Sequence, residues 1–205
     1  MNPSPVQIFF KTLWQHFYDD LGKVILLNII WGVFSITLIG APPAIFALYH
    51  WINKQVQYND PEIKEFFAAL IIWWKKSYLV CLIMFVFFAM LTGSIWFYIV
   101  KIPDWGVWAL IPAGLCFWLG VYTSIAQAFL IPIIIHQSIP IKLAVKRSLM
   151  APLVKPGVSM CVFILQLILI FLSISVPPVI IVISGSLWAI IGTTGLLVVL
   201  DECEL

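Results

Sequence analysis

The polar side chains set deepest in the apolar stretches of this sequence are three amides, Asn28, Gln127 and Gln166. An amide offers two donors and an acceptor. Each could therefore line a path for a polar solute, or hydrogen-bond a neighbouring helix, a contact worth about 0.6–2 kcal/mol inside a membrane. Helix fastening is the favoured reading. No Asp, Glu, Lys, Arg or His falls in the middle of any apolar stretch. Such groups are costly there, about 2.5–3.5 kcal/mol on insertion scales, and they mark proton relays and ion-coupled pumps. The pattern argues against a pump of that kind working alone.

His16, His50 and His136 have no metal-binding spacing, although His50 and His136 are expected at one membrane face. Cys81, Cys116, Cys161 and Cys203 are scattered singly, and a cysteine inside a span behaves as a small hydrophobe. There is no HExxH, no GxSxG, no P-loop and no acidic pair set for hydrolysis. No catalytic, cofactor-binding or metal residues are expected. The chain reads as a non-enzyme without a cofactor.

The elements that would position these amides follow from composition. Hydrophobic residues make up 63% and charged residues 10% of the chain, and mean hydropathy is +1.09. A soluble domain carries about 25% charged residues. Long apolar runs recur without charge, whereas a membrane β-barrel would show alternating segments of about ten residues. The net charge of +2 gives no reason to expect nucleic acid. The fold class is all-α: one polytopic membrane helix bundle over 1–205, with five spans and interfacial amphipathic helices.

The spans are expected at about 21–39, 77–100, 106–135, 158–176 and 179–200. Amphipathic helices are expected at about 5–18, 43–57, 61–75 and 140–150. Residues 1–20 lack the basic start, apolar run and cleavage site of a signal peptide. Ser4-Pro5 instead reads as an N-cap with proline at the first helical position. Gly40, Pro42 and Pro43 break the chain after the first span, at its end rather than at the membrane midplane, where broken helices build transporter sites. Ile45, Leu48, Ile52 and Val56 should form the apolar stripe of the next helix, with His50, Asn53, Lys54 and Gln57 in water. Asp60-Pro61 restarts the helix, and Trp73-Trp74-Lys75-Lys76 reads as an interfacial anchor. Ile141, Ala144, Val145, Ser148 and Leu149 oppose Lys142, Lys146 and Arg147, the pattern of a helix lying on an anionic leaflet. Pro177-Pro178 divides the last two spans. In the fifth, Gly185, Ala189 and Thr193 form a small-residue face that lets another helix, of this chain or a partner, approach closely.

Basic residues near span ends set orientation. Lys54, Lys64, Lys75, Lys76, Lys142, Lys146, Arg147 and Lys155 share one side of a five-span chain, against Lys11, Lys23 and Lys101 on the other. The expectation is an inner (plasma) membrane protein with its N-terminus outside and its C-terminus cytoplasmic.

Leu26-Leu27-Asn28-Ile29-Ile30-Trp31, then Leu38-Ile39-Gly40-Ala41-Pro42-Pro43-Ala44 leading into Ala47-Leu48-Tyr49, then Asp60-Pro61 before Phe66-Phe67, together resemble the YesL-like family of bacterial integral membrane proteins. The resemblance is strongest over about 20–80. The family's usual threonine before the Ile-Gly step and proline after it are here Leu38 and Ala41. The family has no catalytic residues to carry over. Through its association with carbohydrate ABC transporters and glycoside hydrolases, the resemblance implies an accessory role in sugar uptake, with a transport complex or a second copy as partner beside the lipid bilayer. The alternative is a small-molecule permease or channel subunit in its own right, with Asn28, Gln127 and Gln166 along its path.

Overall fold

The computed structural model describes residues 4–18, 21–37, 39–58, 61–176 and 183–200, and these are helical with no strand among them. α1 (Pro5–Tyr18) starts where Ser4 and Gln7 cap each other. The Gln7 backbone N–H donates to Ser4 Oγ at 3.3 Å, and the Ser4 N–H donates to Gln7 Oε1 at 2.9 Å. This reciprocal box satisfies two amides at the helix start, and Pro5 follows as expected from the sequence. α1 buries Phe9 completely against the bundle and leaves Phe10 and Trp14 exposed.

α2 (Leu21–Ile36) stops three residues before the end of its predicted span. Thr37 Oγ1 donates to the Phe34 carbonyl at 2.7 Å, and the Gly40 N–H donates to the Thr37 carbonyl at 2.7 Å. A Cβ at Gly40 would sit 2.5 Å from the Phe34 oxygen, so only glycine fits this corner. α3 (Ala41–Tyr58) then takes Pro42 and Pro43 into its first turn, where a missing N–H leaves no bond unmade.

α3 is not the surface helix that its pattern predicts. Phe46, Ala47, Leu48, Trp51 and Ile52 are fully or almost fully buried, as is Asn53 on the face expected to be wet; Gln55 is buried as well. It packs on α2, on the helices that follow it, and on the late helix Gly185–Val199. Gln57 stays exposed, while His50, Asn53 and Lys54 meet partners on other helices.

α4 (Ile63–Val100) is one helix of 38 residues, about 57 Å long. An amphipathic helix at 61–75 and a separate span at 77–100 are therefore corrected to a single rod that starts after Glu62. Nothing at Lys75-Lys76-Ser77 breaks a helix: Ser77 Oγ donates back to the Trp74 carbonyl at 2.8 Å, and the Lys76 ammonium lies 5.1 Å from the centre of the Trp73 ring. The Asp60 N-cap lies outside the described residues. α5 (Ile102–Trp105) and a 3₁₀ turn (Gly106–Ala109) reverse the chain. Gly106 sits at φ 63°, a left-handed conformation that favours glycine.

α6 (Leu110–Gln137) runs back along α4, followed by α7 (Ile141–Val154), α8 (Pro156–Ser175) and α9 (Gly185–Val199). α7 turns Ala144, Ser148 and Ala151 onto its neighbours and leaves Lys142, Lys146 and Arg147 exposed. Among the described residues three segments are long and apolar enough to cross a membrane: Ile63–Val100, Gly106–Gln137 and Pro156–Ser175. α2 and α9 are apolar but shorter, with 16 and 15 residues, or about 24 and 22 Å. The Pro177-Pro178 break and the residues after Leu200 lie outside the described residues.

The core lies where α3 and α9 meet. α9 is buried along nearly its whole length, against α1, α2, α3, α6 and α8. The distal parts of α4 and α6 project from this core as an arm with exposed Phe85, Met90, Trp96, Trp108, Leu115 and Trp118.

Candidate functional cavity

The polar groups expected to be wet on α3 bind its neighbours. Gln57 Nε2 and Asn53 Oδ1 both lie within hydrogen-bond distance of His136 Nδ1 at the end of α6, at 2.7 and 3.1 Å; the bare ring nitrogen accepts from Gln57 in one tautomer, and the ring N–H donates to Asn53 in the other. Trp73 Nε1 donates to His50 Nδ1 at 3.3 Å, and Lys54 pairs with Glu65 at 2.9 Å. His50 therefore joins α4 while His136 joins α3. Burial is the main force that lowers the His50 pKa below its ordinary value; the Lys54 cation adds to it, and Glu65 opposes both. Among the described residues no cluster of three or more His, Cys, Asp or Glu could hold a metal ion.

Of the three amides, Asn28 is set apart from the other two. It is fully buried on α2, and its Oδ1 accepts the Ser186 N–H at 2.9 Å. Ser186 is the second residue of α9, which follows directly on a π turn at 183–184. Ser186 Oγ donates to the Val24 carbonyl at 3.1 Å alongside. Asn28 thus ties α2 to the first turn of a helix more than 150 residues away in sequence, as a cap supplied from another helix does.

The small-residue face is enclosed in the same region. A Cβ at Gly185 would lie 2.7 Å from the Trp31 ring and 2.8 Å from Asn28 Oδ1. Ala189 and Thr193 are buried with it. Within this chain Gly185 meets α2, so the face is filled from inside. Gly195, on another side of α9, is equally tight, with a Val162 methyl 2.5 Å from where its Cβ would be.

Gln127 and Gln166 are brought together. A cavity of about 510 Å³ lies between α2, α3, α4, α6, α8 and α9, with Trp31, Tyr49, Met84, Gln127 and Trp188 among its walls. A second, of about 330 Å³, lies between α4, α6, α8 and α9 and is lined by Gln127 and Gln166. Gln127, Ile170 and Trp188 border both, so the two are adjoining chambers. Their combined size suits a small molecule, and a mainly apolar wall with a few placed polar groups is the usual form of such a site. The Tyr49 hydroxyl is hydrogen-bonded to Trp188. Gln127 makes no hydrogen bond to a described residue, and the Gln166 amide nitrogen is buried without an acceptor.

Tyr49, Trp31 and Trp188 were not singled out from sequence as walls of a site. A signal for them exists: aromatic residues with a polar tip favour the ends of spans, whereas Trp31 and Trp188 stand inside apolar segments. Comparison with family models, with curated proteins and with solved structures gave no match.

Proposed function

We propose that this chain is an inner-membrane protein crossing the bilayer five times, with α2 and α9 as the two shorter crossings. In this reading it acts without catalysis, as an accessory or regulatory component of a transport complex. The observation that carries the reading is the projecting arm of α4 and α6. Its outer apolar surface is exposed, and Ala89 and Gly93 lie one helical turn apart on α4 with nothing within 4 Å of a Cβ at Gly93. Small residues on a lipid-exposed helix let a second span come close. That surface replaces the Gly185–Ala189–Thr193 face, which is filled from inside the chain. Resemblance to the YesL-like family directs the proposal toward carbohydrate uptake. The bonds from Asn53 and Gln57 to His136 support placing the basic segments 40–76 and 136–157 on one side, taken as cytoplasmic by their charge.

Co-purification in mild detergent tests the reading. A partner protein should be retained by the native chain and lost with Gly93→Leu, while the variant's unfolding midpoint does not fall. If the extract holds this protein alone and reconstituted vesicles take up sugar, the accessory reading is overturned. A second reading, a permease, is favoured by the meeting of Gln127 and Gln166 in one cavity. Flux unchanged by Gln127→Ala and Gln166→Ala would exclude it.

A further inference from the structure

The Gln166 side chain is only 3% exposed, and its amide nitrogen has no acceptor in the protein. Trp31 lines the larger chamber, and its indole N–H is likewise buried without an acceptor among the described residues. Buried donors in native proteins are nearly always paired, so two unpaired donors around one cavity point to an acceptor that arrives from outside the chain. The remaining walls are nearly all apolar. A sugar bound there would face hydrocarbon with most of its hydroxyls, at a heavy desolvation penalty. The occupant that fits is an apolar chain carrying carbonyl oxygens, which accept hydrogen bonds and donate none.

The route of entry narrows the source. Ile170 and Ile174 on α8 line the larger chamber and are also exposed on the outer surface, as are Leu167 and Phe117 beside the smaller one. Apolar wall residues of both chambers therefore also reach the outer surface, on segments long and apolar enough to cross a membrane. A molecule dissolved in the bilayer meets that surface directly. We propose that the two chambers form one site for an ester-linked acyl lipid taken from the bilayer. Its chain fills the larger chamber, and its carbonyl oxygens accept from Gln166, with Gln127 and Trp31 as further donors.

The full chain in lipid nanodiscs, supplied with phospholipid probes that carry a photoreactive group on one chain, tests this. The probes are matched except that one is ester-linked and the other ether-linked, and mass spectrometry locates the labels. The expected result is labelling of Met84 and Ile131 inside the cavity, about fivefold stronger with the ester probe, the ratio that one hydrogen bond supplies. Gln166→Leu should remove that preference while labelling at the outward-facing Phe85 and Met90 stays unchanged. Cys81→Trp, which fills the larger chamber from a half-buried position, should lower cavity labelling by both probes and serves if the first variant does not fold. Equal labelling by the two probes in the native chain overturns the proposal. So does an ester preference that survives Gln166→Leu, or cavity labelling displaced by a free sugar.

Discussion

Replacing Asn28 by leucine should destabilise the protein by about 1–2 kcal/mol, and three independent scales meet at that figure. Loss of a capping side chain costs about 0.5–2 kcal/mol. A buried donor left without its acceptor costs about 1–3 kcal/mol, and the Ser186 N–H that loses Asn28 Oδ1 is fully buried with its residue. Hydrogen bonds between helices in a membrane protein average about 0.6 kcal/mol and reach about 1.7. Leucine keeps the branched shape of asparagine and leaves no cavity, although its methyl groups are bulkier than the amide. The lost bond should lower the folding constant by roughly tenfold or somewhat more. Titration with a denaturing detergent, followed by tryptophan fluorescence, measures it. Gln127→Leu is the control: Gln127 fastens no described residue, so its removal should change stability by no more than about 0.5 kcal/mol. If Asn28→Leu unfolds with the native protein, or Gln127→Leu costs as much, the division between fastening amide and cavity amides is wrong.

Gly40→Ala should cost about 1–3 kcal/mol, because the new methyl meets a backbone oxygen that cannot step aside. Gly93→Ala should instead stabilise by about 0.5–1 kcal/mol, since its Cβ enters open space and glycine is a poor helix former; both are read as shifts in unfolding midpoint. Gly195→Ala should destabilise through the Val162 methyl, and Val162→Ala in the same chain should recover part of the loss, so that a double-mutant cycle shows coupling. The depressed His50 pKa gives a pH dependence of definite sign. Below its ordinary value of 6.5 the unfolded chain takes up a proton that the folded chain resists. Stability should therefore be full above about pH 7 and fall as pH drops through 6.5 and lower, with His50→Gln flattening that slope in unfolding curves.

The sequence was most legible where local chemistry decides. Ser4-Pro5 read as a helix start because a hydroxyl and an imide ring each solve the problem of orphaned amides, and the corner at Gly40 read as a break for equally local reasons. Gln127 and Gln166 were found because an amide in hydrocarbon stands out. Their meeting was not visible, since spacing within one helix says nothing of which helix faces it. α3 was misplaced for a related reason. Its His50, Asn53 and Gln57 show a polar face, but that pattern does not say whether water or His136 and Trp73 will satisfy it. The lysine pair at Lys75-Lys76 looked like an end because charge leaves a membrane, yet a helix can continue through it, and α4 does.

The cap that Asn28 places on α9 also bears on how the protein is made. The two partners are 158 residues apart in sequence. A ribosome adds about 5–20 residues per second, so Asn28 waits roughly 10–30 s for the amide it is to cap. During that interval α1, α2, α3, α6 and α8 lack the helix on which they converge, and the seat of α9 is open to lipid or to a chaperone. Assembly of the core is therefore a late event, set by synthesis rather than by the speed with which each helix forms.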